Sequence, residues 1–163
     1  MFQVGMKVVH SLHGLGIVEA LEEKTILGSV TRMASLSFQD GRLQMMVNVS
    51  SSNSLIRPVI DCREVEAVMD TLRRNRTDIP RRANERYPIN LAKIKSGNVH
   101  QLCEVVKELT VVKKITPKEH TMLKQARRIL SDELACVTGC DADEMEKIVD
   151  HTCRVNAGEL VLV

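Results

Sequence analysis

A chain of 163 residues with a formal net charge of +2 and 27% charged residues has the size and polarity of one ordinary soluble domain or two small ones. Hydrophobic content of 44% can fill a core, but two Phe, one Tyr and no Trp mean that Val, Ile, Leu and the eight Met must build it. No apolar run approaches the roughly 20 residues of a membrane span, and the opening Met-Phe-Gln-Val-Gly lacks the basic and apolar regions of a signal peptide, so a cytoplasmic protein without membrane contact is expected.

Up to about residue 55 the chain has strand grammar. Short β-rich runs fall at Lys7–His10, Gly16–Leu21, Val30–Phe38 and Arg42–Val49. Turn residues separate them at Gly14 and Gly16, at Leu27-Gly28 and at Asp40-Gly41. Asp-Gly between two such runs signals a two-residue type I′ hairpin, which needs positive φ at both central residues. Short antiparallel strands packed into so little chain predict a small SH3-like barrel. A boundary is expected near Ser50–Pro58, where a Ser-rich stretch and Arg57-Pro58 interrupt the pattern.

From Asp61 onward the pattern is helical. Four capping boxes are legible, each an acceptor side chain followed three residues later by Glu or Gln: Asp61…Glu64, Asn98…Gln101, Thr116…Glu119 and Asp141…Glu144. Pro117 stands at a first helical position, where its missing N–H does no harm. Apolar residues then recur at helical spacing, as in Val65, Val68, Met69 and Leu72, or Leu102, Val105, Val106 and Leu109. A shorter helix is expected from Asn84 to Lys95, stopping at Ser96-Gly97. The fold class is therefore α+β: an N-terminal SH3-like barrel over residues 1–57, a compact all-α domain over 58–155, and an apolar tail at 156–163.

Several clusters carry possible chemistry. The stretch from Arg73 to Lys95 holds Arg73, Arg74, Arg76, Arg81, Arg82, Arg86, Lys93 and Lys95 against only Asp78 and Glu85, while the rest of the chain is net acidic. Such polarity suits phosphate, although charge runs are often no more than solvated loops, and these residues alone leave both readings open. The five cysteines, Cys62, Cys103, Cys136, Cys140 and Cys153, are odd in number and scattered, so they read as reduced thiols. Cys136…Cys140 with His151 and Cys153 lacks the short paired spacing of zinc sites and reads as helical core. His10 and His13 have no completing ligand and belong to a turn. Met45-Met46-Val47 lies in a strand whose alternation should bury one Met and free the other. No nucleophile with an adjacent base, Walker loop or paired catalytic carboxylates appears. The expectation is a protein that is not an enzyme, with no metal and no cofactor.

These residues also carry a family resemblance. Phe2-x-x-Gly5-x-x-Val8-Val9-His10 and His13-Gly14-Leu15-Gly16-x-Val18-Glu19-Ala20 resemble the opening of the CarD/CdnL family. So do Leu55-x-Arg57-Pro58-Val59-Ile60, Asn84-x-Arg86-Tyr87-x-x-Asn90-Leu91-x-Lys93-Ile94-x-Ser96-Gly97, Glu104-Val105-Val106-x-x-Leu109 and the segment Lys118–Leu134. The similarity runs in order from residue 2 to about residue 150, and the motifs together are far more specific than any one of them.

The resemblance implies a Tudor-like first domain, shared with the transcription-repair coupling factor, that docks on the β subunit of RNA polymerase. It implies a helical second domain that touches promoter DNA at the upstream edge of the bubble and stabilises the open complex. Carried over by position, Lys24, Met45, Met46 and Val47 would face polymerase, and Arg81, Arg82, Arg86 and Lys93 would face DNA, with the protein a monomer. One departure matters. Family members carry a Trp wedge where this chain has Ala83, and a basic or polar residue where it has Pro88. Ala is too small to prop open a base step. DNA contact is then expected to be weaker or differently made, with an adaptor lacking DNA contact, or a free-standing nucleic-acid-binding module, as the rivals.

Overall fold

A computed structural model describes residues 2–50 and 55–155. The chain divides into two units, Met1–Val59 and Ile60–Val163. The tail at 156–163 and Ser51 to Ser54 lie outside the described residues.

In the first unit five antiparallel strands form one sheet: β1 (Lys7–His10), β2 (Gly14–Ile26), β3 (Ser29–Phe38), β4 (Leu43–Asn48) and β5 (Ile56–Pro58), in the order β4-β3-β2-β1-β5. Hairpins join β1 through β4 in succession. β5 then returns to β1, pairing Val9 with Arg57 and His10 with Ile56. Part of the stretch expected to be a boundary is thus a strand, because Ile56 supplies an apolar side chain to the core. That core is Val8, Val18, Ala34, Leu36, Phe38 and Ile56, all nearly inaccessible to solvent. A register shift between Val18 and Ala20 bends β2, as one unpaired residue in a ladder does.

The two-residue turn that the sequence suggests at Asp40-Gly41 forms instead at Leu27-Gly28. Leu27 and Gly28, at φ 50° and 81°, form the two-residue turn, flanked by the pair Ile26 and Ser29. Both central residues have the positive φ that a type I′ turn requires. At Asp40-Gly41 the register is that of a two-residue turn, but Gln39 is also left-handed at φ 53°. The ladder therefore ends one pair earlier, at Phe38 and Leu43, and the loop has four residues.

Two features of this unit are packing constraints. A Cβ on Gly16 would sit 2.5 Å from the Phe38 ring and 2.9 Å from the Ser37 carbonyl, so only glycine lets β2 lie so close to β3. His10 is 4% exposed, edge-on to Phe38 at 5.9 Å and 4.8 Å from the His13 ring. Its Nδ1 accepts the Leu12 N–H at 3.0 Å, which requires that nitrogen to be unprotonated.

The second unit opens with a 3-10 turn at Cys62–Glu64 and continues as α1 (Val65–Arg73), α2 (Ala83–Lys95), α3 (Val99–Val111), α4 (Pro117–Thr138) and α5 (Ala142–Arg154). Two of the four capping boxes are complete, Asp61 with Glu64 and Thr116 with Glu119. Asn98 caps His100 and Gln101, but its own N–H goes to Ser96 Oγ, leaving Gln101 nothing to return. Asp141 caps Asp143 and Glu144, and the Glu144 carboxylate lies 3.6 Å from Lys147 instead. Val68 and Leu72, Val105, Val106 and Leu109, Ala126, Leu130 and Leu134, and Val149 form the buried interior at the spacing the sequence shows. Cys103 and Cys153 are buried among them, while Cys136 and Cys140 are partly exposed. Lys107 is buried with its ammonium donating to the Cys153 carbonyl at 2.6 Å, a cation placed where the end of α5 is electronegative. Among the described residues no helix is long and apolar enough to cross a membrane.

Gly16→Ala should destabilise the first unit by about 1–3 kcal/mol through overpacking against Phe38, read from urea unfolding of the full chain. Burial, and then the neighbouring His13, depress the proton affinity of His10 below that of a free histidine. Its neutral form stabilises the fold above the unfolded value, so stability should fall as pH drops below about 6.5. A unit whose unfolding midpoint ignores pH between neutrality and about 5 would contradict this.

Candidate functional site

Each unit presents one candidate region. In the first it is β4, an edge strand that among the described residues pairs only with β3. Its side chains alternate: Leu43, Met45 and Val47 are half-buried against the core, whereas Gln44, Met46 and Asn48 are exposed. Met45 and Val47 therefore offer a partner their backbone and little of their side chains. Met46 is 44% exposed, and Lys24 reaches across from β2 to put its ammonium 3.7 Å from the Met46 sulfur. Lys24 also lies 3.7 Å from the Glu22 carboxylate, in an exposed and weak pair. The sheet thus brings together two residues 22 positions apart, Lys24 and Met46, beside an open row of backbone N–H and C=O groups.

In the second unit the region is the basic stretch from α1 to the end of α2. Half of its cations are engaged within the protein. Arg73 pairs with Glu66 at 2.9 Å and Asp70 at 2.7 Å. Arg76 meets Glu104 and Asp78, each at 3.3 Å. Lys93, with a side chain 17% exposed, lies 2.9 Å from the same Glu104, so its charge is largely spent on α3. Arg74, Arg81, Arg82 and Lys95 are exposed and make no ion pair among the described residues.

Arg86 is not a surface residue, contrary to the expectation that it faces DNA. It is 3% exposed and forks onto Glu119, itself fully buried: Nε donates to Oε1 at 2.7 Å and Nη2 to Oε2 at 3.0 Å. Nη1 donates to the carbonyls of Pro80 and Arg81, both at 3.0 Å, and Nη2 also approaches the Lys114 carbonyl at 3.5 Å. Helical geometry explains the burial. Arg86, Asn90 and Ile94 recur every four residues and form the inner face of α2. That periodicity could have exposed the error in the sequence, since Arg86 shares a face with Ile94. Glu119, legible there only as a capping residue, does double duty: its Oε2 also accepts the Thr116 N–H at 2.8 Å. The fork to Glu119 raises the proton affinity of Arg86. Burial alone would raise that of Glu119, but the Arg86 fork and the Thr116 N–H outweigh it and hold the carboxyl below its ordinary range.

Arg81 and Arg82 stand at the entry to α2. Arg82 is the N-cap residue and supplies no capping side chain, and Ala83 begins the helix. The outward side of α2 carries Asn84, Glu85, Pro88 and a 48% exposed Ile89. Pro88 sits inside the helix without an N–H, so the Asn84 carbonyl loses its helical partner on the solvent side.

The chain thus joins an open-edged β unit to a helical unit with a cationic entry to α2. Residues 2–60 match the family model of the CarD-like/TRCF RID domain, and residues 67–150 match that of the CarD C-terminal domain. The chain belongs to the CarD/CdnL family. It is 33% identical over 143 residues to the protein described as "Putative transcription factor YdeB" of Bacillus subtilis (strain 168), a match that covers 85% of this chain and 94% of that protein.

Arg86→Met should destabilise the helical unit by about 3–5 kcal/mol, because it leaves Glu119 charged, buried and unpaired. Adding Glu119→Leu should restore most of that loss in the same thermal or urea unfolding measurement. Glu119 has a depressed affinity for protons, so its contribution is present above the unfolded carboxylate range and is lost as pH falls through the depressed one. Acid unfolding of the helical unit should therefore steepen below about pH 4 and flatten in Glu119→Gln.

Proposed function

We propose that this chain is a transcription regulator that acts at initiation by binding alone, docking on the β subunit of RNA polymerase through the β4 edge. The observation that carries the reading is that unpaired edge with Met46 and Lys24 beside it. An open edge can accept a strand from a partner, main-chain hydrogen bonds supplying affinity and alternate side chains supplying specificity. Polarisable, adaptable Met46 suits an irregular protein surface. The family to which both units belong, and the transcription-factor description of the Bacillus relative, support polymerase as the partner.

In this proposal the entry to α2 touches promoter DNA at its phosphates. Arg81 and Arg82 are the cations there that are free to do so. A wedge is missing, since Ala83 has no apolar bulk to insert between base steps. Two phosphate contacts predict a modest salt dependence, a log–log slope of about −1.8 on duplex DNA. The effect on open-complex lifetime is then a phosphate grip rather than a prop. The second reading, a polymerase-bound adaptor that leaves DNA alone, is favoured by Ala83 together with Glu85 and Pro88 on the outward face of the same helix.

Met46→Glu and Lys24→Glu should each weaken binding of the full chain to purified RNA polymerase β subunit by about tenfold or more, a change of roughly 1.4 kcal/mol. Undiminished binding by both variants would remove the β4 edge from the proposal. Arg81→Ala/Arg82→Ala should leave β-subunit binding intact while lowering affinity for a polymerase–promoter complex and reducing the salt slope by about 2. No change in promoter affinity or slope would select the adaptor reading.

A further inference from the structure

We propose that Arg86 is a positioning residue: it fixes the backbone of residues 80–82 so that Arg81 and Arg82 stand as a pre-set pair of free cations. The functional part of this inference rests on reading that entry as a DNA contact.

The argument is a count of donors and acceptors. A guanidinium has five N–H donors in a rigid planar fork. In Arg86 each has an acceptor: Nε on Glu119 Oε1, Nη1 on the Pro80 and Arg81 carbonyls, and Nη2 on Glu119 Oε2 and the Lys114 carbonyl. None remains for a phosphate. The next carbonyl, that of Arg82, is closed by the opening of α2, accepting the backbone N–H groups of Glu85 at 3.1 Å and Arg86 at 3.0 Å. Three consecutive carbonyls, those of residues 80, 81 and 82, are therefore all engaged, the first two by the Arg86 guanidinium and the third by the helix backbone.

The anchor is itself buried and bonded. Glu119 is fully buried in the first turn of α4 and tied to Thr116 in a complete capping box. With carbonyls 80 and 81 drawn in to the guanidinium, the two arginine side chains that follow lie in solvent with no anion to bind among the described residues. A segment ordered before it meets its ligand loses less conformational freedom on binding. Charge is not what Arg86 contributes. An ammonium in its place keeps the charge but has three donors and no fork, and cannot hold two carbonyls and both carboxylate oxygens at once.

The test compares the full-length chain with Arg86→Lys, Arg86→Met/Glu119→Leu and Arg81→Ala/Arg82→Ala. The Met/Leu pair removes both buried charges together and so preserves the helical fold, checked by circular dichroism and thermal unfolding. Limited trypsin digestion, quantified bond by bond by mass spectrometry, should show cleavage after Arg81 and Arg82 accelerated by about tenfold in both Arg86 variants, with other bonds unchanged. Fluorescence anisotropy of a labelled promoter duplex with RNA polymerase should show Arg86→Lys losing as much affinity and salt slope as Arg81→Ala/Arg82→Ala, despite its retained charge. Wild-type trypsin resistance in both Arg86 variants would overturn the inference, whatever happens to DNA affinity. So would full DNA affinity in Arg86→Lys when Arg81→Ala/Arg82→Ala has lost it. Accelerated cleavage in the Arg86 variants, with Arg81→Ala/Arg82→Ala indifferent to DNA, would uphold the anchoring role and refute the DNA reading instead.

Discussion

The buried fork between Arg86 and Glu119 is the interaction around which the entry to α2 is arranged. Removing an arginine and a carboxylate from water is expensive, and such a pair is favourable only when geometry and additional hydrogen bonds satisfy what the Coulomb attraction leaves over. Here the bidentate geometry uses both carboxylate oxygens, the remaining guanidinium donors reach backbone carbonyls, and the Thr116 N–H completes the environment of Glu119. The pair joins segments that are far apart in sequence: the loop before α2, the loop after α3, and the first turn of α4. Hydrophobic residues of similar volume could fill that space, but they could not hold the carbonyls of Pro80 and Arg81. Specificity of backbone geometry is the better account of why a charged pair occupies the interior.

The ion pairs nearby divide the basic stretch into two populations. Arg73, Arg76, Arg86 and Lys93 neutralise carboxylates of their own fold, whereas Arg74, Arg81, Arg82 and Lys95 face solvent without such partners among the described residues. The effective field at this surface is therefore smaller than the residue count suggests. Ala83 starts the helix, and Glu85 and Pro88 stand on its outward side. The β module shows no such reduction, since its open edge depends on backbone groups that side-chain substitution does not remove.

The first unit rests on close approach. Gly16 lies beneath the Phe38 ring, and His10 is wedged against the same ring and His13. Phe38 is fully buried among Val8, Val18, Leu36 and Ile56, and Phe2 packs against the same cluster partly buried. Strand alternation on β4 follows directly: each residue that packs inward turns its neighbour out, and Met45 and Met46 part company.

Local chemistry by itself determined much of this protein. Thr116 with Pro117 and Glu119 starts a helix wherever it stands, because acceptor, fixed φ and returning carboxylate lie within one turn. The alternation of β4 and the core stripes of α3 and α4 were legible for the same reason: burial on one face imposes a period. Where no period exists the sequence is silent. Glu22 to Thr25 are exposed on both faces of β2, so only pairing with β3 shows that the strand continues to Ile26. β5 is three residues long and is a strand only because β1 lies beside it. The identity of the free arginines is the clearest case. An arginine's charge is written in the sequence, but whether it meets water or a buried glutamate 33 positions away is decided by packing of α2 against α4. The helical period sets Arg86 on one face with Ile94, but only tertiary structure supplies the buried Glu119 that takes its charge, because desolvation and hydrogen bonding belong to the surroundings and not to the residue.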